Sequence, residues 1–560
     1  MSLPSSAPPM APAGIVGRRQ TGWLLLVAPI VALAVLPVLA VLALALFGSA
    51  GEAVIDAATA RGYVFTTLAL LIGVLPCTLA LGAGAAWLVT MCAFPGRGLF
   101  EWALVLPLAL PAYLLAIVYS ELFGLEGALV DLLGFEARHW LPDIRSLPGA
   151  VLLLSVALYP YVYLLARTAF VDQSIGAFEA ARTLGSSPWR GFWRVALPMA
   201  RPALVIGCAL VAMEAAADFG TVQILAVDTL TSGIYETWLG ASDRVTAARL
   251  SCVLLSMILL LLGLEYLTRR NRQFHRSGRQ FRRLPPFVLR GWRRLAAIAL
   301  CLIPLFFGFL LPLGALLVWS LEARADLLGE RWWGDALATF AMAALAAAAA
   351  VLIALVLAYA VRVTRWRGML PLARLASSGY AVPGPVLALG VLLPLAAFDN
   401  WLDGLTREHL GVSLGLLLSG SMLVLVYAYA IRFLALAHGG VSASLTRVTQ
   451  NMDDAARMLG RSPWQRLRLV HLPLIRGGVL AAALLVFVET AKELPMTLIL
   501  RPLGLETLAT RAFALASEEQ FADAAPWALT IAVLGILPVV VLSREIRRSG
   551  PSMVAGSDEG

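Results

Sequence analysis

Five charged side chains stand inside segments otherwise apolar enough to cross a bilayer: Glu214 and Asp218 in one segment, Glu489, Lys492 and Glu493 in another. A charge at the centre of a spanning helix costs about 2.5 to 3.5 kcal/mol on insertion scales, so such groups face protein, water or one another. Read as uninterrupted helix, each i,i+4 carboxylate pair falls on one face. Two roles are open to them. Either the acidic pairs face each other and line a path friendly to cations, or Lys492 neutralises Glu489 at i,i+3 and the set locks helices together. Carboxylate oxygens suit hard cations, but a path that held one tightly would not release it, so weak contact is expected and no tightly bound metal.

Other chemistry is absent. A phosphate-cradling loop of the Walker type needs a lysine after glycine, and the only lysine, Lys492, follows Ala491 in an apolar run. Any ATP, with its magnesium, must therefore bind separate partner subunits. No cofactor, catalytic residue or enzymatic activity is expected of this chain. Cys77, Cys92, Cys208, Cys252 and Cys301 lie in or beside apolar runs without redox or zinc spacing, and His139, His275, His409, His438 and His471 are scattered.

The elements that must position the charges are membrane helices. The chain has 560 residues, 60% of them hydrophobic and 14% charged. Its mean hydropathy is +0.84. Apolar runs near the 20 residues or so that a helix needs to span recur throughout, where barrel strands would need about 10 alternating ones. The expected spans are 23–47, 65–94, 101–123, 147–170, 202–226 and 246–268, then 295–320, 335–362, 369–397, 412–437, 475–500 and 524–543. Arginines gather in every second loop, above all between Arg269 and Arg294, and loops of the other set carry balanced charge. By the positive-inside rule both termini are cytoplasmic. The net charge of +9 is spent on this asymmetry rather than on nucleic acid. Pro107, Pro111, Pro383 and Pro385 interrupt the third and ninth spans, as packing kinks or as marks of a transport path.

The sequence repeats itself at a spacing of 275 residues. Ala180, Ala181, Arg182, Leu184, Gly185, Ser187, Pro188 and Trp189 return as Ala455, Ala456, Arg457, Leu459, Gly460, Ser462, Pro463 and Trp464, and Glu214 and Asp218 align with Glu489 and Glu493. Six spans per half give two parallel repeats, with a path between them. Each copy lies between the fourth and fifth spans of its half and reads as helix, break, helix. Gly185 or Gly460 ends the first helix; Ser187-Pro188 or Ser462-Pro463 caps and starts the second. One such elbow could rest on lipid; two at equivalent positions favour a docking surface.

The segments Glu179 to Gly185 and Asp454 to Gly460, each followed by Leu-Pro, resemble the EAA loop of binding-protein-dependent ABC-importer permeases. The resemblance implies an all-α membrane protein of the MetI-like type I permease fold, with about twelve transmembrane helices in two parallel six-helix repeats. It also implies that Glu179, Ala180, Ala181, Gly185, Asp454, Ala455, Ala456 and Gly460 dock two copies of a cytoplasmic ATPase subunit. A periplasmic substrate-binding protein would meet the opposite face, in the bacterial inner membrane. Tyr380 to Pro385, Tyr427 to Phe433, Glu489 to Pro495 and Leu500 to Pro502 resemble fused ferric-iron permeases. Thiamine permeases share the layout and are the nearest rival, with polyamine or phosphonate behind. A secondary transporter could have parallel repeats too but has no use for paired loops. The expected organisation is a tail over 1–22, a first half over 23–268 with its loop at 172–201, and a basic linker over 269–294. A second half follows over 295–543, with its loop at 447–476, then a tail over 544–560.

Overall fold

The computed structural model describes residues 18–49, 55–124, 127, 130, 134, 142–171, 188–270, 287–323, 329–364 and 366–549. The first half runs through α1 (Arg18–Phe47), α2 (Ala57–Met91), α3 (Arg97–Ala103), α4 (Ala112–Leu122), α5 (Leu147–Val171), α6 (Leu197–Ala217), α7 (Gly220–Ile224), α8 (Leu230–Tyr235) and α9 (Arg244–Arg270). The second half runs through α10 (Trp292–Leu305), α11 (Leu311–Glu322), α12 (Glu330–Val363), α13 (Met369–Ala376), α14 (Gly384–Leu410) and α15 (Met422–Leu445). It continues through α16 (Gln450–Met458), α17 (Pro463–Arg466), α18 (Leu472–Ala491), α19 (Pro495–Leu500), α20 (Leu508–Ser517) and α21 (Ala525–Ser549). Among the described residues the only strands are Cys92–Ala93 and Phe287–Val288, a short parallel pair that ties the far end of the linker to the end of α2. Much of that linker, 271–286, lies outside the described residues.

Among the described residues ten helices are long and apolar enough to cross a membrane, and the bent pair α3 and α4, counted as one span, makes an eleventh. At the place of the expected twelfth span stands the shorter apolar helix Ala525–Val540. Helices dominate because a bilayer offers backbone groups no water, and a helix satisfies them within itself.

The third and ninth spans are not continuous. Pro111 and Pro383 have φ −57° and −54° with extended ψ, and the residues before them, Leu110 and Val382, are extended as well. Proline lacks the N–H that would continue a helix and pushes its predecessor out of helical geometry. In the first half the result is a bend of 86° between the segments Arg97–Ala109 and Ala112–Leu122. In the second half the expected span over 369–397 is instead a short helix and a 3-10 turn, Ser377–Ala381, ahead of a long helix that restarts at Gly384.

The first span of each half packs on the other half. α1 lies against α13 and α14, and α10 with the turn after it lies against α2 and α5, while α11 contacts α4. Tyr427 Oη donates to the Leu33 carbonyl at 2.7 Å, and Tyr119 Oη to the Phe307 carbonyl at 2.7 Å, so each exchange carries a hydrogen bond. Small residues permit the approach. A Cβ at Gly390 would stand 2.2 Å from the Pro37 carbonyl oxygen, and one at Gly535 only 1.9 Å from that of Ala109. Gly390→Leu and Gly535→Leu are expected to destabilise the protein by at least about 1–3 kcal/mol, the usual cost of overpacking. Gly404→Leu, where a Cβ meets nothing within 4 Å, serves as the control. Thermal unfolding in detergent checks this; equal melting of all three variants would refute the close packing between the halves at these two glycines.

Candidate functional site

The fifth and eleventh spans also break, and acidic side chains shape the breaks. α6 ends at Ala217, and Asp218 turns the chain with ψ 132°. Its Oδ2 accepts from the Thr221 and Val222 N–H groups at 3.1 and 3.2 Å, and its Oδ1 from Thr221 Oγ1 at 2.9 Å. Glu493 does the same for α19: Oε1 accepts from Met496 N–H at 3.1 Å, Oε2 from Thr497 N–H at 3.1 Å and Thr497 Oγ1 at 2.9 Å. The first N–H groups of any helix lack internal partners, and a carboxylate just ahead supplies them. The expectation that Glu214 and Asp218, or Glu489 and Glu493, share one helix face is corrected here, because the helix stops between the members of each pair.

All five charges nominated from the sequence nonetheless line one cavity between the halves, of about 160 Å³. Tyr113, Tyr161, Glu214 and Asp218 come from the first half; Tyr380, Arg432, Glu489, Lys492 and Glu493 come from the second. Lys492 Nζ pairs with Glu489 Oε1 at 2.8 Å, and Tyr380 Oη donates to Glu214 Oε1 at 2.8 Å across the boundary. The lining thus sets four carboxylates against two cations. Sequence reasoning missed Arg432 as part of this site. The signal was present, since an arginine inside an apolar segment is subject to the same rule that singled out Lys492.

The second repeated loop is fully described, whereas Glu179, Ala180, Ala181 and Gly185 of the first lie outside the described residues. α16 ends at a left-handed Gly460, φ +70°, and Ser462 forms a reciprocal capping box with Gln465 while Pro463 opens α17. Asp454 and Ala455 are exposed, as are the neighbouring Met458, Leu459 and Trp464; Ala456 is buried and packs inward. A π-helical turn, Leu467–His471, then leads into α18, and Phe192–Ala196 repeats it at the equivalent place before α6.

Asp453, next to the docking candidate Asp454, anchors this loop. Its Oδ2 accepts from Arg362 Nε at 2.9 Å and its Oδ1 lies 2.7 Å from His471 Nε2, with Arg466 at 3.9 Å. Arg362 also donates to the Leu445 and Val448 carbonyls at 2.9 and 2.7 Å, closing the end of α15 onto α12. Burial alone would raise the Asp453 carboxyl, yet the hydrogen bonds and charges of Arg362 and His471 hold it below the usual carboxylate value. A depressed carboxyl stabilises the fold above the ordinary carboxylate range and loses that contribution as pH falls through its lowered value. Among the described residues Asp454 makes only an exposed pair with Arg457 at 2.9 Å. Adjacent aspartates look alike in sequence; only which face of α16 is covered separates them.

Asp453→Ala is expected to cost about 3 kcal/mol, because it strands buried cationic partners. Asp454→Ala, which removes a surface pair, should change stability little. Thermal unfolding together with protease cleavage within 446–471 distinguishes them, and equal behaviour of the two variants would refute the anchoring role.

A cavity between parallel repeats, broken spans around it and an exposed elbow on one helix leading to it describe a transport subunit, and comparisons with known proteins agree. The profile of the family described as "Binding-protein-dependent transport system inner membrane component" matches residues 79–273. The chain is similar to an Fe(3+)-transport system permease protein of Haemophilus influenzae, with 28% identity over 492 residues, 85% of this chain and 88% of that protein. It is 31% identical over 213 residues to the molybdenum transport system permease protein of Escherichia coli, 36% of this chain and 90% of that one. A ferric transport system permease protein of Actinobacillus pleuropneumoniae is 24% identical over 407 residues, 69% of this chain and 56% of that protein. The chain therefore belongs to the family of inner-membrane components of binding-protein-dependent transport systems, the multi-pass permeases of ABC importers.

Proposed function

We propose that this permease carries ferric iron, taking it from a periplasmic binding protein and releasing it to the cytoplasm at the expense of ATP bound by two partner ATPase subunits. One observation carries the iron reading: the relative named for Fe(3+) transport aligns over 85% of this chain, so over both halves, whereas the molybdenum relative aligns over 36%. Thiamine, with only the shared two-loop layout behind it, ranks below iron.

The arginine-bearing loops and both termini face the cytoplasm in this reading, held there by the positive-inside bias. One ATPase subunit docks on each repeated loop. In the second loop Asp454, Ala455 and Gly460 join Met458, Leu459 and Trp464 as the offered surface, with Ala456 supporting it from beneath; Glu179, Ala180, Ala181 and Gly185 take the same part in the first. Apolar side chains exposed around a rigid turn suit a partner that must grip and pull.

The pull reaches the cavity through a single helix. From His471, beside the loop, to Glu489 at the cavity is 18 residues of near-continuous helix, on the order of 27 Å at 1.5 Å per residue. Asp453 and Arg362 clamp the loop to α12, so displacement of the elbow moves α12 and α18 together. Closure of the ATPase pair then rocks one half against the other about the cavity. The Tyr380–Glu214 bond and the exposed Arg145–Glu519 pair, both crossing between halves, are contacts such a motion exchanges.

Iron-starved cells lacking this chain are expected to regain radiolabelled ferric uptake when it is restored, and to lose it on ATP depletion. Unrestored uptake with the protein verified in the membrane would discard iron and bring thiamine forward. Gly460→Pro should leave the protein inserted but abolish uptake, since proline fixes φ near −65° where the turn needs +70°. Gly460→Asn, which tolerates left-handed geometry, should retain most of it. Normal uptake by the proline variant would sink the docking-loop assignment.

A further inference from the structure

The acidic residues of the cavity have already been spent. Asp218 and Glu493 cap α7 and α19, Glu214 accepts from Tyr380, and Glu489 is paired with Lys492. Among the described residues no group of three or more His, Cys, Asp or Glu side chains is placed to hold a metal ion. A bare trivalent ion demands a shell of hard oxygen ligands, and the described residues do not gather one here.

The groups left over are donors. Arg432 Nε and the Tyr113 hydroxyl are buried without a hydrogen-bond partner among the described residues, and both residues line this cavity, one from each half. Tyr113 is only 5% exposed. Among the described residues the guanidinium of Arg432 makes one long hydrogen bond, 3.5 Å from Nη1 to the Val382 carbonyl, while its charge also acts on Glu214 and Glu493. A buried donor without an acceptor carries its full desolvation cost, the more so when charged, and an oxygen-bearing cargo entering the cavity relieves it. A metal cation cannot accept a hydrogen bond.

We infer that iron crosses this cavity as a ferric–oxyanion complex, with the anion taking the Arg432 guanidinium and the Tyr113 hydroxyl. Such a complex brings its own hard ligands, so the permease need not supply them. It also carries far less net charge than the bare ion through the membrane interior. This rests on the iron reading above and names the form of its cargo. Phosphate and citrate share the required chemistry.

The test uses proteoliposomes holding the complete importer, with ATP inside and the binding protein loaded outside with radioactive iron plus either labelled phosphate or labelled citrate. Labelled anion is expected to enter with iron in near-equal amount in at least one arm, and only with ATP. Tyr113→Phe removes an oxygen that the fold does not use, so it should leave thermal stability unchanged while lowering iron uptake about tenfold, the scale of one hydrogen bond to a charged group. Arg432→Gln should lower it further, with Arg432→Lys recovering part. Iron entering at full rate without either anion, or a Tyr113→Phe importer as fast as the wild type, would overturn the inference and leave the iron reading standing. No ATP-driven iron uptake in either arm would overturn the iron reading and this inference with it.

Discussion

A backbone that leaves helical geometry inside a bilayer exposes N–H and C=O groups that no water can serve, and the centre of this protein is organised around meeting that demand with side chains. Asp218 and Glu493 cap the short helices after the two interruptions, and Thr221 and Thr497 bind the same carboxylates through their hydroxyls. Because the acids are fixed in this way, the breaks fall at equivalent depths in both halves, and the cavity opens where the two meet. Prolines 111 and 383 do the complementary work in the third and ninth spans, where the missing N–H makes a partner unnecessary. Charge that is costly in a membrane is thus retained because it completes the hydrogen bonding of a broken helix, and the cavity is a consequence of those breaks.

The repeat preserves backbone and varies chemistry. The π-helical turns before α6 and α18 stand at equivalent positions, as do the caps at 218 and 493. Beneath the loops the halves differ. Where the second uses Arg362, Asp453 and His471, the first has Trp87, Phe178 and Ala196 at the matching positions. Trp87 packs with Phe170 and Phe192 at ring separations of 5.9 and 5.2 Å. The second elbow is seated on an ion cluster, specific in geometry and sensitive to loss of any member; the described residues at the matching place in the first half meet through aromatic contact, which tolerates sliding. Fusion of the halves in one chain permits this divergence, since neither loop has to serve in both positions.

Exchange of the first spans gives the two halves a reason to move as a pair. α1 is held by α13 and α14 of the other half, and α10 and α11 by the first, through close approaches at Gly390 and Gly308 and by hydrogen bonds from Tyr427 and Tyr119. Rocking about the cavity is then constrained at the periphery while the centre, bridged by Tyr380 and Glu214, is left to rearrange.

Much of this was legible without coordinates. Apolar length fixes the membrane class and most of the spans, and the 275-residue repeat fixes the parallel halves and the paired loops, because period and composition are properties of the chain itself. Gly460, Ser462 and Pro463 announce the elbow, since each residue type has a local conformational cause. The helix breaks at 218 and 493 were not legible, for an acid in an apolar run reads as a charge on a helix face until the N–H groups it serves are seen. Nor was the choice of Asp453 over Asp454, which depends on Arg362 arriving from another helix, or the place of Arg432 beside carboxylates far away in sequence. Sequence by itself determined the elements and their symmetry, because these follow from local pattern; the tertiary structure alone decided which charges are spent and which remain available, because that depends on what packs opposite them.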